Sequence, residues 1–418
     1  MITFVALLMF LQLGVGWELS TLYCALLTLP WVLKSFLREK VRRMGRFAHV
    51  LRLIEAGIFG ALTALAFTFS SSSRYHVLLV FGVLLVLCLF CAWHELAARM
   101  YYERMLRPWQ QRLYNSSKMF FSQASTVVTY GAMIMTVGAL EVFYHNRRNA
   151  ITISWSTAIY LLAGLYLLLF LYNFFVLRSP RVGDRRQVES LSHAVRAEVH
   201  VIDRILHKSH GLAVIVCLFF VLLPQALLFH TRVLYLFAPH ADGGLGCSLQ
   251  WIGLAQGTVG VIAFSAALGL GHHLLRQCSY EPSSSSLLQS TDSSQRFSSW
   301  PFLLMALCLP LSPVVYFLMT LYPPATLLPL CIATFLAQSL FGFGLNACML
   351  FVRYISGERY RSTINYLYIP LVSLVMLPAL AVSGWLVAHL GFQSFFLLDT
   401  LLALPAFAAA YLGFRLIT

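Results

Sequence analysis

Twelve long apolar segments, separated by short charged or turn-forming segments, constrain the fold of this chain more than any other feature of its sequence. A helix that crosses the roughly 30 Å hydrocarbon core of a bilayer needs about 20 mostly apolar residues. The apolar segments cover residues 1–17, 19–37, 48–70, 76–98, 117–143, 154–177, 211–236, 247–275, 299–321, 325–353, 363–388 and 391–415. Barrel strands would alternate apolar and polar residues, and residues 161–170 show no such alternation. We therefore predict an all-α integral membrane protein with about twelve transmembrane helices, the first of them short.

The composition agrees with a chain whose solvent is lipid. Apolar residues make up 59% of the 418 residues and charged residues only 11%, whereas soluble domains have about 45–50% and about 25%. This composition excludes soluble enzymes, nucleic-acid-binding proteins and secreted disulfide scaffolds. No Walker A sequence and no cluster of acids or histidines suited to a membrane enzyme or a metal site is present. We therefore expect neither an enzyme nor an ATP-driven pump.

The basic residues indicate the topology. If both termini are cytoplasmic, 25 of the 29 lysine and arginine residues fall on the cytoplasmic side of the twelve segments. Such an excess is the pattern that the positive-inside rule predicts. The net charge of +14 is thus explained by topology and by contact with anionic lipids, and nucleic acid is not an expected partner.

The polar stretch 178–210 divides the chain into two sets of six segments. Its apolar positions recur at helical spacing, which predicts a basic amphipathic helix on the cytoplasmic surface. The predicted organisation is a half at 1–177, this linker, and a half at 211–418 that contains a Ser-rich cytoplasmic loop at 279–299. Two six-helix halves related by an axis along the membrane normal are typical of the major facilitator fold.

Several stretches resemble a known family of transporters. The connection SFLREKVRRMGR (35–46) is similar to the loop signature of the major facilitator superfamily. Its matching positions are Glu39, Arg42, Arg43, Gly45 and Arg46. The stretches at 29–36, 243–264, 341–350 and 383–405 resemble the AmpG muropeptide permeases, with the character of Bacteroidetes relatives.

This resemblance implies a specific activity. It implies a permease of the bacterial inner membrane that imports GlcNAc-anhydroMurNAc and related amino-sugar recycling products. The proton gradient would drive import without any other cofactor, and the expected partners of this monomer are the small-molecule solute and membrane lipids. The chain departs from its relatives in the fourth helix, where an acid of the pattern H-D-x-A-x-D is replaced by Arg99.

Ionisable residues inside spans are candidates for proton coupling, because burying them in lipid is costly. Glu95 with the adjacent His94 is the first candidate pair, since a carboxylate and an imidazole can relay a proton. An ion pair of Glu95 with Arg99, one turn further on, is the structural alternative. We expect Glu55 to pair with Arg52 or Arg42 and, with Glu39, Arg43 and Arg46, to gate the cytoplasmic loop.

A second group of polar residues in the spans could bind the solute. A guanidinium holds carboxylates with two parallel hydrogen bonds, which would suit the lactyl group of a muramic acid. Amide and phenol groups suit sugar hydroxyls and rings. The predicted substrate-binding residues are Lys34, Arg232, Gln225, Asn346, Gln338 and Tyr130. For each of them, a purely structural role is the alternative, such as an interfacial anchor for Arg232 or an interhelical bond for Asn346.

Two other readings stay open. The fold could carry another solute, such as a siderophore, a peptide or an acyl-CoA. The loss of the acid at Arg99 also fits a diverged relative that no longer transports. Each of these differs from the leading interpretation in solute or activity, and neither of them differs in fold.

Overall fold

A computed structural model of the chain describes residues 2–34, 47–69, 76–177, 211–278, 306–356 and 361–415. These residues form helices and short connections, and no strand occurs among them. We number the helices in chain order. In the first half they are α1 (Ile2–Gln12), α2 (Trp17–Leu26, continued by 29–34), α3 (Phe47–Phe69), α4 (His76–Met105), α5 (108–143) and α6 (Ala150–Val176). In the second half they are α7 (Gly211–Phe237), α8 (249–278), α9 (306–321), α10 (Leu327–Ser356), α11 (361–390) and α12 (391–415).

The prediction of an all-α membrane protein with about twelve helices is confirmed. Eight helical stretches of the described residues are long and apolar enough to cross a membrane. One of them, Pro370–Leu412, is two successive helices, because the backbone of Gly391 has a φ of 73° that breaks the helix between α11 and α12. The shorter helices α1, α2 and α9 complete the set.

The two sets of six helices contact each other most closely at one end of the molecule. We call it the short-loop end, because the connections 13–16, 144–149, 238–248 and 322–326 lie there. Helix α2 packs against α11 and the start of α12, where the Trp17 ring lies 5.3 Å from the Phe392 ring. Helix α5 packs against α8, and Gly138 lies against Gln250. By the positive-inside prediction, this closed end faces away from the cytoplasm.

The contact between α5 and α8 continues through two π-helical segments, Val127–Ala132 and Gly253–Val259. Here the backbones of Gly131 and Gly257 touch. A Cβ atom added to Gly257 would lie 2.6 Å from the amide nitrogen of Gly131, so a larger residue does not fit without a shift of one helix. Small residues at helix crossings allow this close approach in membranes.

Several predicted features lie outside the described residues. They are the linker 178–210, the Ser-rich loop 279–299, and the gating-loop residues Glu39, Arg42, Arg43 and Arg46.

Candidate functional site

A small cavity of about 50 Å³ lies between the two halves of the molecule. Helices α1 and α5 line it from the first half, and α7, α8 and α10 line it from the second. We call it the central cavity. Three of the residues that the sequence singled out meet in it, namely Tyr130, Arg232 and Gln338.

Arg232 is the only charged residue among those that line the central cavity, and its side chain is 4% exposed. Its guanidinium carbon lies 4.7 Å from the centre of the Phe4 ring and 5.3 Å from that of Phe229, so two aromatic faces stabilise the charge. None of the ion pairs between described residues includes Arg232, and its Nε atom has no hydrogen-bond partner there. A buried cation without a counter-ion is costly, and an anion bound in the cavity would relieve that cost.

Uncharged polar side chains on other helices of the second half form a hydrogen-bonded chain near Arg232. The Nε2 atom of Gln256 donates a hydrogen bond to the Tyr316 hydroxyl at 2.9 Å, and Gln338 donates to Oε1 of Gln256 at 3.5 Å. Sequence reasoning did not single out Gln256 or Tyr316. The available signal was an amide set among the small residues of the segment 253–260, which is where a polar group can approach another helix closely.

Tyr130 lies in the first π-helical segment, and Gln256 lies in the second. The Tyr130 ring stacks on Phe4 with 5.3 Å between ring centres. Its hydroxyl is buried and has no hydrogen-bond partner among the described residues. Two hydrogen-bond donors of residues that line the cavity therefore have no partner among the described residues. They are the Tyr130 hydroxyl and the Nε atom of Arg232.

Three of the predicted substrate-binding residues lie outside the central cavity, namely Asn346 and Gln225 in the second half and Lys34 in the first. Asn346 donates to the backbone oxygens of Leu268 and Gly342, both at 3.1 Å, and so joins α10 to α8. This is the interhelical role that was its structural alternative. Gln225 is buried in α7 without lining the central cavity, and its Oε1 atom has no partner among the described residues.

Lys34 and Glu95 form an ion pair in the first half. The distance from Nζ of Lys34 to Oε1 of Glu95 is 2.5 Å, and the indole of Trp31 donates to the other carboxylate oxygen at 3.2 Å. The lysine side chain is 5% exposed and that of Glu95 is 44% exposed. The alternative partner Arg99 instead pairs with Glu103, at 3.1 Å.

Glu55 of α3 and His94 of α4 form a second pair of ionisable residues. Glu55 accepts a hydrogen bond from Asn173 at 2.8 Å, and the Nε2 atom of His94 lies 3.3 Å from the same oxygen. The sequence predicts that Glu55 pairs with Arg52 or Arg42. The Arg52 guanidinium instead donates to the backbone oxygen of Leu177 and lies over the Phe174 ring, and Arg42 lies outside the described residues. His94 thus contacts Glu55, while the neighbouring Glu95 contacts Lys34.

Asp399 in α12 is a further buried acid. It is fully buried, and neither of its carboxyl oxygens has a partner among the described residues. No group of three His, Cys, Asp or Glu side chains that could hold a metal ion occurs in the part of the chain that the structure describes.

Solved structures of transporters share this arrangement of helices. A D-xylose-proton symporter matches 100% of this chain and 93% of its own, with a TM-score of 0.66 and 13% identity. The nucleoside transporter NupG matches 100% of this chain and 95% of its own, with a TM-score of 0.64 and 12% identity. A bacterial homologue of the human lysosomal transporter Spinster, in an inward-facing and unoccupied conformation, matches 100% of this chain and 93% of its own, with a TM-score of 0.63 and 13% identity.

No family model and no curated protein matches the sequence. The structural likeness nevertheless spans the whole chain, and it shows that the chain has the major facilitator fold. The finer resemblance to the AmpG muropeptide permeases stays a prediction.

Proposed function

We propose that this chain is a secondary active transporter that carries a small organic anion across the membrane by alternating access. The observation that carries the proposal is Arg232, a buried guanidinium without a described counter-ion in a cavity between the two halves. Charged residues within membrane spans usually serve a pathway or a ligand. A carboxylate on the solute would supply the missing negative charge and two parallel hydrogen bonds.

The position of the central cavity supports alternating access. Both halves contribute lining residues, so a solute held by Arg232, Gln256 and Tyr130 contacts helices that separate when the halves rock. The contacts at the short-loop end close one exit from the cavity. Opening that end and closing the other would carry the solute across.

The specific solute that we propose is GlcNAc-anhydroMurNAc, the muropeptide-type amino sugar implied by the sequence resemblance, imported across a bacterial inner membrane. Its lactyl carboxylate would pair with Arg232. Its hydroxyl and amide groups would exchange hydrogen bonds with Gln256, Gln338 and Tyr130, which carry uncharged donors and acceptors.

For energy coupling we propose the pair formed by Lys34 and Glu95. Protonation of Glu95 would neutralise one member of the pair and release Lys34, so that proton binding changes the contact between α2 and α4. His94 and Glu55, with 3.3 Å between Nε2 and Oε1, are the second candidate pair for coupling. The side chain of Glu95 is 44% exposed, and a coupling residue needs an exposed carboxyl in order to exchange protons with a water-filled path.

The test is uptake of radiolabelled GlcNAc-anhydroMurNAc into bacterial cells that lack their own muropeptide permease. We expect accumulation that a protonophore abolishes and that an excess of unlabelled solute prevents. Accumulation that resists the protonophore would contradict proton coupling and leave the solute in place. No uptake by cells whose membranes contain the protein would contradict the muropeptide assignment and leave the other organic anions to be tested.

A further inference from the structure

A second and larger cavity lies within the first half. Its volume is about 260 Å³, and helices α1, α3, α4, α5 and α6 surround it. The lining is almost entirely apolar and includes Met9, Leu62, Leu87, Met133 and Leu162. We call it the apolar cavity.

Tyr130 lines both the apolar cavity and the central cavity. Its ring stacks on Phe4, which itself lies under the guanidinium of Arg232 at 4.7 Å. The side chain of Tyr130 therefore separates the apolar cavity from the central cavity, where Arg232 has no counter-ion among the described residues. The buried hydroxyl of Tyr130 has no partner among the described residues, so no hydrogen bond found there holds this ring in place.

The size and lining of the apolar cavity indicate what can occupy it. Apolar cavities of about 150 Å³ stay free of water and bind benzene, and this one is larger. While it is empty, the side chains around it lack dispersion contacts on one side. An apolar group of a bound solute would restore those contacts, whereas water would not.

We propose that the transported anion carries an apolar group larger than a benzene ring, which occupies the apolar cavity while the carboxylate pairs with Arg232. This inference rests on the anion site at Arg232 that the proposed function assumes. It restricts the class of solute that would bind at that site. Among organic anions, it favours a carboxylate with an apolar substituent. GlcNAc-anhydroMurNAc carries no such group, so the two solutes are alternatives that share the anion site at Arg232, and the binding and uptake experiments distinguish them. Tyr130 lies at the boundary of the two cavities and would contact both parts of the solute.

The first test measures binding to the purified full-length protein with probes of known chemistry. The probes are acetate, 4-phenylbutanoate and the neutral 4-phenylbutanamide. Because each buried methylene group adds about 0.8 kcal/mol, we expect 4-phenylbutanoate to bind at least about 30-fold more tightly than acetate. We also expect the amide to bind at least tenfold more weakly than 4-phenylbutanoate. Equal binding of the acid and the amide would indicate a lipid-like site independent of Arg232 and would overturn the proposal.

A pair of matched variants locates the apolar group. Leu87→Phe fills part of the apolar cavity, and Leu78→Phe makes the same change on the same helix, at a side chain that is 60% exposed. We expect Leu87→Phe to weaken 4-phenylbutanoate binding at least tenfold without a change for acetate, and Leu78→Phe to change neither. Binding of 4-phenylbutanoate that tolerates Leu87→Phe in a protein of unchanged Tm would overturn the proposal.

A labelling measurement on the unmodified protein keeps the proposal testable if Leu87→Phe does not fold. Cys91 lines the apolar cavity, while the similarly half-buried Cys331 lies on α10, outside it. We expect 4-phenylbutanoate to slow alkylation of Cys91 by N-ethylmaleimide at least fivefold and to leave Cys331 unchanged. Equal rates at Cys91 with and without the probe would overturn the proposal. Uptake of GlcNAc-anhydroMurNAc that 4-phenylbutanoate does not inhibit would support the transport function and overturn only this inference.

Discussion

At the scale of single residues, the polar groups of the spans fall into two types. Asn346 has partners for its donor group and joins two helices, as expected of a structural residue. Arg232 and Tyr130 instead leave donors unpaired in a cavity between the halves. An unsatisfied buried donor costs about 1–3 kcal/mol, and the proposed solute would relieve this cost by pairing with both groups.

Glu95→Gln tests the proposed coupling pair. The amide cannot release a proton, so we expect solute exchange across the membrane to continue while proton-driven accumulation falls at least tenfold. The measurement compares counterflow with protonophore-sensitive uptake in proteoliposomes. Glu103→Gln on the same helix is the control and should leave both activities within twofold. Accumulation that survives Glu95→Gln but not Glu55→Gln would move the proton site to the second pair.

Asn173→Ala tests the second pair through stability. Asn173 donates one of the two hydrogen bonds that Glu55 makes, and the other oxygen of this buried carboxyl has no described partner. Removing a partner of a buried group costs about 1–3 kcal/mol, so we expect a lower Tm in detergent. Asn146→Ala, at an exposed position in the connection 144–149, should leave the Tm unchanged. Equal Tm values for the two variants would contradict the contact.

At the scale of elements, the two π-helical segments combine two tasks. They form the contact between α5 and α8, and they carry Tyr130 and Gln256 of the central cavity. Such bulges occur often at functional sites. A solute that contacts both side chains is thereby linked to the crossing of the two halves, which is where a rocking motion would separate them.

Gly257→Ala tests this crossing. An added Cβ would overlap the backbone of Gly131, so we expect the halves to spread at the short-loop end. The readout uses Glu18→Cys with His389→Cys, because these side chains lie 3.8 Å apart across the halves. We predict that Gly257→Ala lowers the yield of a short bis-maleimide cross-link at least twofold. Gly164→Ala on α6 adds a Cβ in open space and should not change the yield. An unchanged yield in Gly257→Ala would mean that the crossing tolerates a larger residue.

The sequence predicts the elements better than their contacts. Apolar runs place α3 at 48–70 and α7 at 211–236, within one residue of the observed Phe47–Phe69 and Gly211–Phe237, because lipid requires continuous helices. Helix α4 continues to Met105, well past the predicted end at 98. The end of the apolar run marks only where the helix leaves the lipid, and the helix can continue into water beyond that point.

The site could be predicted only in part. Arg232, Tyr130 and Gln338 stand out as polar groups in apolar runs, and the structure brings them together. The partners of Glu55 could not be predicted, because Asn173 lies 118 residues away and tertiary packing alone makes it a neighbour. Gln256 was missed because a single amide in a span gives no sign of the helix that it faces.

At the scale of the whole molecule, two halves surround a cavity that contains the cation of Arg232. The halves close at the short-loop end, and the central cavity lies where they meet. The boundaries of the halves at 1–177 and 211–418 stay a prediction, and the relative motion of the halves is the mechanism that the proposed function requires. The proposed mechanism requires that a solute carboxylate bind at Arg232.

Counterflow in proteoliposomes tests that claim most directly. Vesicles loaded with unlabelled GlcNAc-anhydroMurNAc take up the labelled solute without any proton gradient, so the measurement isolates binding and rocking from coupling. We predict that Arg232→Gln lowers the initial rate at least tenfold, while Arg148→Gln, at an exposed position in the connection 144–149, keeps it within twofold. Equal rates for Arg232→Gln and the unmodified protein would contradict the account.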